Sequence, residues 1–256
     1  MMASTDFNDC VSIVTGAGQG IGYEICRQLS FAGSNVILND LDPQLAAEAA
    51  KKITDDGGAC IAVAGDVGDT SFTQQLVNIA VERFGKLDIA IANAGITLFS
   101  DFFDYTPESF YKVLQVNMGG TFFLAQAAAR QMKSQQQGGS ILFTSSVVGH
   151  QAHKNLAAYA MTKAGIEMLA KNLVIELAQF NINVNAIAPG ATLTERTLED
   201  KEYEKTWSRL SPTGRPSTAA DIAAAALFLV SKSAKQITGQ TLIIDGGWSA
   251  ISPSPF

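Results

Sequence analysis

Val11-Ser12-Ile13-Val14-Thr15-Gly16-Ala17-Gly18-Gln19-Gly20-Ile21-Gly22 is the stretch on which the fold turns. Its β-branched start, residues 11–15, reads as a buried strand. A glycine turn follows, then a helix over about 21–31 that Gly33 ends. Glycines let a backbone turn tightly and approach a pyrophosphate closely. The helix behind the turn offers free N–H groups and a partial positive charge to that anion. A glycine turn without a ligand has the same composition. The strand before it, the helix after it and an acid at the end of the next strand favour nucleotide binding.

Outward from this unit, short apolar runs alternate with longer amphipathic stretches. Strands are expected at 36–39, 60–64, 87–92, 141–144, 182–188 and 240–245. Helices are expected at 43–55, 70–84, 107–133, 156–179 and 219–231. Pro43 suits a first helical position, with Asp42 as the cap before it. Residues 191–212 read as a polar irregular segment. Such alternation implies parallel strands joined by crossover helices on both faces. No repeat, low-complexity block or long linker divides the chain, so 1–256 reads as one doubly wound α/β domain. Its ligand belongs beyond the carboxyl ends of the strands.

Hydrophobic residues make up 47% and charged residues 16%, which fits an ordered globular chain. A net charge of -6 disfavours a general nucleic-acid or anionic-membrane surface, because phosphates are repelled. Cys10, Cys26 and Cys60 are an odd, sparse set without a CxxC pair. They make a poor disulfide framework and point to a reducing compartment, hence a cytoplasmic location. The first ten residues lack a positive n-region and an apolar core, so no signal peptide is expected. The longest apolar run, 222–230, falls well short of a membrane span.

Asp40 closes the second strand. A carboxylate there accepts hydrogen bonds from adenosine ribose hydroxyls and repels a 2′-phosphate. Gln19 and Leu41 stand where a basic residue would receive such a phosphate, so NAD is favoured over NADP.

Ser146, Tyr159 and Lys163 form a Ser-x12-Tyr-x3-Lys set. Tyr159 and Lys163 share one face of an expected helix. Chance supplies about 0.2 Tyr-x3-Lys pairs in such a chain and about 0.02 once the serine is required. That serine also directly follows a strand. Alcohol oxidation removes a hydroxyl proton while hydride leaves carbon. A tyrosine hydroxyl, with an ordinary pKa of about 10, is a poor base near neutrality unless an ammonium stabilises its phenolate. Serine can hold the substrate oxygen.

With Thr15, Gly16, Gly20 and Gly22 in the pattern TGxxxGxG, and this catalytic set, the chain resembles the single-domain short-chain dehydrogenase/reductase family from about Cys10 to Trp248. The resemblance implies a Rossmann-type parallel sheet of seven strands in the order 3-2-1-4-5-6-7, with helices on both faces. It implies Tyr159 as acid/base, and Lys163 as the residue that lowers the tyrosine pKa and binds the nicotinamide ribose. Ser146, rather than Ser145, stands at the substrate-orienting position, and Asn117 at that of an asparagine holding a relay water. It places NAD against Gly16, Gln19, Gly20, Ile21, Gly22 and Asp40. Asp66 and Val67 then flank the adenine, Asn93, Ala94 and Gly95 line the middle, and Pro189, Gly190, Thr192 and Thr194 meet the nicotinamide. Thr192 replaces the family's usual Ile, a change that a backbone contact tolerates.

Substrate identity belongs to the loops. Candidates are residues 96–99, 147–156 and 191–217, the last a substrate lid. His150 and His153 fall between Ser146 and Tyr159, and either could contact a polar substrate. No metal site is expected, because no cysteine or closely spaced acid completes one. The family implies a homotetramer, formed through the helices around 107–133 and 156–179 and through the last helix and strand. The tail 249–256, ending Pro-Ser-Pro-Phe, reaches a neighbour or frays.

The function expected is therefore NAD-dependent hydride transfer to or from a small secondary alcohol or ketone. Sugars or polyols come first, then a 3-oxoacyl thioester, then a hydrophobic ketone. A non-catalytic NAD-binding regulator would need the glycine turn but not the tyrosine and its lysine. A sugar-nucleotide epimerase would carry an extra substrate domain.

Overall fold

The computed structural model describes residues 7–252. Residues 1–6, within the stretch read for a leader, and 253–256, the Pro-Ser-Pro-Phe end of the tail, lie outside the described residues.

Strand β1 (Val11–Val14) leads through the glycine turn into α1 (Gly20–Phe31). There follow β2 (Asn35–Asp40), α2 (Pro43–Asp55), β3 (Cys60–Ala64), α3 (Thr70–Phe84) and β4 (Ile89–Ala92). The second half comprises α4 (Pro107–Leu114), α5 (Thr121–Gln135), β5 (Gly139–Thr144), α6 (Ala157–Leu177) and β6 (Ile182–Pro189). It ends with β7 (Thr192–Leu193), α7 (Tyr203–Leu210), β8 (Ser217–Thr218), α8 (Ala219–Val230) and β9 (Thr241–Ile244). The main sheet runs β3-β2-β1-β4-β5-β6-β9, all parallel. This is the expected seven-stranded order; the short β7 and β8 pair only with each other.

Alternation along the central strands builds two cores. Ile13, Ile37, Ile141 and Phe143 pack on the face covered by α3, α5 and α6. Val14, Val36, Leu38 and Leu142 pack on the face covered by α1, α2 and α8. Strands buried on both faces read as continuous apolar runs, which is why they were visible in the sequence. Asp42 caps α2 as expected, its side chain accepting the Gln44 and Leu45 N–H groups. Gly33, at φ +99, ends α1 in the left-handed region.

Two expectations need correction. The single helix over 107–133 is interrupted: residues Gln115–Gly120 form a wide π turn between α4 and α5. Gly119 and Gly120 are weak helix formers, and the buried Asn117 binds elsewhere, so the regular ladder gives way. The irregular segment 191–212 also contains β7, a 3-10 turn at Thr197–Glu199 and α7. Helix α7 is only eight residues long and predominantly polar, with no buried residue, so its stretch of sequence reads as irregular. No helix among the described residues is long and apolar enough to cross a membrane.

Candidate active site

A cleft of about 550 Å³ opens where the carboxyl ends of β1, β2, β4, β5 and β6 converge. Its floor is the glycine turn. Gly16 has φ +59, and a Cβ there would meet the Ala94 Cα at 2.7 Å. A Cβ at Gly22 would meet the Gly16 carbonyl at 2.5 Å. Close approach of backbones, besides turning, therefore demands these glycines.

Asn93 braces this turn: its Nδ2 donates to the carbonyls of Thr15 and Gly16 at 3.0 and 2.9 Å. Thr15 Oγ1 in return accepts the N–H groups of Asn93 and Ala94, each at 3.2 Å. Thr144 Oγ1 donates to Asn93 Oδ1 and so joins β5 to the brace. At one end of the cleft Asp40 Oδ2 accepts the Gly18 N–H at 2.9 Å, and Oδ1 accepts the Asp42 N–H at 3.2 Å. Asp66 and Val67 lie nearby, with Lys112 3.6 Å from the Asp66 carboxylate.

At the other end stand Ser146, Tyr159 and Lys163. Helix α6 carries Tyr159 and Lys163 one turn apart, with the Lys163 Nζ 5.4 Å from the Tyr159 ring centre. Lys163 is only 3% exposed. A buried ammonium needs acceptors, and the Thr144 carbonyl takes one of its N–H groups at 2.7 Å. Ser146 starts the 3-10 turn Val147–Gly149 and accepts the Val148 N–H at 3.4 Å.

Asn117 lies behind this wall, fully buried. Its Oδ1 accepts the Ile96 N–H at 2.8 Å, while Nδ2 donates to the Ile96 carbonyl and to Thr162 Oγ1. Both amide N–H bonds are thus engaged within the protein, so the side chain serves as a clamp. Pro189, Gly190, Thr192 and Thr194 line the cleft beside Gly95, Gln19, Gly20 and Ile21. Every expected site residue except Asn117 lines this one cleft.

Four contributors were not foreseen. Glu195 Oε2 accepts the Gly20 N–H at 2.9 Å, at the helix end expected to face a pyrophosphate. Tyr203 Oη accepts the Thr192 N–H at 3.2 Å, the donor expected to serve the carboxamide. Burial pushes the Tyr203 hydroxyl above its ordinary pKa. Ser145 and Glu167 bond to each other at 2.6 Å behind the serine turn. Only Glu167 had a legible signal, as the next residue of the Tyr159 and Lys163 stripe. The two histidines part company: His150 Nε2 lies 3.0 Å from Glu167, whereas His153 is exposed beside Trp248. Burial raises the Cys26 thiol pKa, and raises that of Cys60 to about 12. No cluster of potential metal ligands occurs among the described residues. A second cavity, of about 670 Å³, opens at the opposite ends of the strands and contains none of the expected residues.

The residues present fit a dinucleotide. The cleft runs from the Asp40 carboxylate, over a glycine floor that a Cβ would obstruct, to the tyrosine and lysine.

Comparison with known proteins agrees. Residues 16–249 match the family model described as enoyl-(acyl carrier protein) reductase. The L-rhamnose-1-dehydrogenase of Scheffersomyces stipitis is 36% identical over 252 residues, covering 94% of this chain and 96% of that protein. A gluconate 5-dehydrogenase from Burkholderia cenocepacia, solved with NADP and tartrate, superposes with TM-score 0.90 at 30% identity, over 97% of this chain and 98% of its own. A 7α-hydroxysteroid dehydrogenase solved with NADH and 7-oxo glycochenodeoxycholic acid gives TM-score 0.90 at 33% identity, covering 95% and 96%. With the fold, the cleft and these relatives in agreement, the chain belongs to the short-chain dehydrogenase/reductase family, as an oxidoreductase acting on CH–OH groups.

Proposed function

We propose that this protein is an NAD-dependent dehydrogenase of a sugar or polyol, interconverting a secondary alcohol and a ketone, or a cyclic hemiacetal and a lactone. The observation that carries the reading is the shared cleft: Asp40 at one end, Ser146, Tyr159 and Lys163 at the other. Bound NAD supplies the hydride acceptor. Tyr159 takes the hydroxyl proton in oxidation and returns it in reduction. Ser146 holds the substrate oxygen, and Lys163, fixed by the Thr144 carbonyl and 5.4 Å from the Tyr159 ring centre, would hold the nicotinamide ribose. With its side-chain amide committed, Asn117 serves a proton relay through its backbone carbonyl in the wide turn.

The sugar class draws on the relatives that act on rhamnose and gluconate. An aromatic wall supports it. Trp248 packs against the cluster of Val147, Val148 and Leu156, as Tyr159 does. Trp207 meets Trp248 edge-on at 5.1 Å, and Tyr203 lies 6.1 Å from Trp207. Such rings can cover the C–H face of a sugar ring while the polar groups bind its hydroxyls. Residues 191–217 act as the lid, with Glu195 and Tyr203 holding it to the cleft floor through Gly20 and Thr192. The protein works as a cytoplasmic homotetramer. Exposed apolar residues on α6, such as Met161, Met168 and Ile175, and on α8 and β9, such as Phe228 and Leu242, supply its interfaces.

A second reading, a 3-oxoacyl thioester reductase, shares with the matching family's description only the acyl-carrier thioester, since an enoyl reductase reduces a C=C bond and not a ketone. A turnover screen with NAD over aldoses, polyols and hydroxyacyl thioesters separates the two. Tyr159→Phe is expected to bind NADH as the wild type does and to lose turnover by about 100-fold or more. Full turnover in that variant would refute the mechanism. A non-catalytic regulator would bind NADH and turn over nothing in the screen.

A further inference from the structure

Helix α6 places Tyr159, Lys163 and Glu167 at four-residue intervals, and so on one stripe. The first two reach the cleft. Glu167 lies one turn further, 7% exposed, and has no part in the chemistry above. A buried carboxylate requires donors. Glu167 Oε1 accepts the Ser145 Oγ–H at 2.6 Å and lies 3.0 Å from His150 Nε2. Ser145 Oγ also lies 3.0 Å from the Lys163 carbonyl. Both partners of Glu167 belong to the turn that carries Ser146: Ser145 precedes it and His150 ends the turn. Between them, a Cβ on Gly149 would fall 2.7 Å from Glu167 Oε1 and 3.2 Å from the Ala164 nitrogen, so the turn is pressed against α6. Ser146 is therefore suspended between two anchors on one carboxylate oxygen, which sits on the helix that bears Tyr159.

We infer that Glu167 is a positioning residue for the reaction: by gripping Ser145 and His150 it sets Ser146 against Tyr159 without touching substrate or cofactor. The inference rests on the catalytic reading above. A substrate oxygen must meet both hydroxyls at hydrogen-bond distance, and misplacement by about 1 Å costs about 100-fold in rate. The glycine turn and Asp40 lie on other elements, so cofactor binding should be spared when the grip is lost.

The test compares wild type, Glu167→Ala, Glu167→Gln and Tyr159→Phe. It measures kcat and KM with the best substrate of the screen, and the NADH dissociation constant by fluorescence. For Glu167→Ala we expect kcat to fall about 10-fold to 100-fold while NADH affinity stays within about twofold. Glu167→Gln keeps an oxygen acceptor for Ser145 and should recover kcat to within about threefold of wild type. An unchanged kcat in Glu167→Ala overturns the inference. So does a parallel loss of kcat and NADH affinity that glutamine does not rescue, because that pattern marks general structural damage. Should Glu167→Ala fail to fold, Ser145→Ala and His150→Gln remove the donors singly. A lowered kcat with intact NADH binding in either supports the grip, and wild-type kcat in both overturns it. Tyr159→Phe separates the two levels of argument. If it keeps full turnover, the catalytic reading falls and this inference with it. If it is inactive while Glu167→Ala matches wild type, only the role of Glu167 is rejected.

Discussion

Replacing Asp40 with serine should abolish the preference for NADH over NADPH. The relatives do not decide the matter, since solved neighbours hold NADP in one case and NADH in another. The geometry around Asp40 does bear on it. Its two carboxylate oxygens accept the N–H groups of Gly18 at 2.9 Å and Asp42 at 3.2 Å. Those bonds restrain the carboxylate from swinging away from a 2′-phosphate. A phosphate about 4 Å away carries about two charges, and each unit costs about 1 kcal/mol in a water-like medium and about 4 kcal/mol at an effective dielectric of 20. Asp40 is partly buried at the cleft mouth, so the water-like figure sets a floor. The total of about 2 kcal/mol is about 30-fold in affinity. NADH additionally gains hydroxyl-to-carboxylate bonds worth about 1.5–3 kcal/mol, so Asp40→Ser should weaken NADH by about 10-fold or more. The assay is fluorescence titration of both reduced cofactors against both proteins. Raising the salt should narrow the wild-type gap, because the repulsion is screened. Equal affinity of the wild type for NADH and NADPH, or an unchanged ratio in Asp40→Ser, would refute the reasoning.

Other consequences follow from single contacts. Glu195→Gln removes a negative charge from the Gly20 N–H that a pyrophosphate would use, so NADH should bind about fivefold tighter in stopped-flow and equilibrium fluorescence; unchanged or weaker binding would count against the lid contact. Gly22→Ala puts a Cβ 2.5 Å from the Gly16 carbonyl and 2.6 Å from Asn93 Nδ2, so it should cost about 1–3 kcal/mol in a denaturant melt and abolish NADH binding. Asp221 hydrogen-bonds Arg215 and completes the cap of α8, and these contacts hold its carboxyl well below the ordinary range. A depressed folded-state pKa stabilises the protein above the unfolded value and is lost as pH falls. Asp221→Asn should therefore cost about 1 kcal/mol at pH 7, after allowance for solvent screening, and lower Tm by about 2–4 °C. That deficit should fade in melts taken below about pH 4; a deficit independent of pH would contradict the assignment.

Much of the fold and the site is legible in the sequence alone. Strand order came with the family resemblance, but the strands themselves came from apolar runs that a sheet buried on both faces imposes on local sequence. The glycine turn was readable because backbone approach leaves no room for a side chain, and that constraint is written at each glycine. Tyr159 and Lys163 were readable because one helical turn separates them. Asp42 was readable because a helix cap is a local bond.

What tertiary structure decided was each contact between residues distant in the chain. The break in the helix at Gln115–Gly120 depends on Asn117 bonding to Ile96, 21 residues away. The hold of Glu195 on Gly20 spans 175 residues, and that of Glu167 on Ser145 spans 22. The partner of His150, Glu167 on α6, depends on where the buried carboxylate falls. Helix α7 and the aromatic wall exist because Tyr203, Trp207 and Trp248 find one another across the lid. Local sequence therefore determined the elements and the chemistry they carry, because propensity, capping and periodicity act over a few residues. The partners of each polar group were decided by packing, because a buried donor or acceptor takes whichever complement the fold brings within about 3 Å.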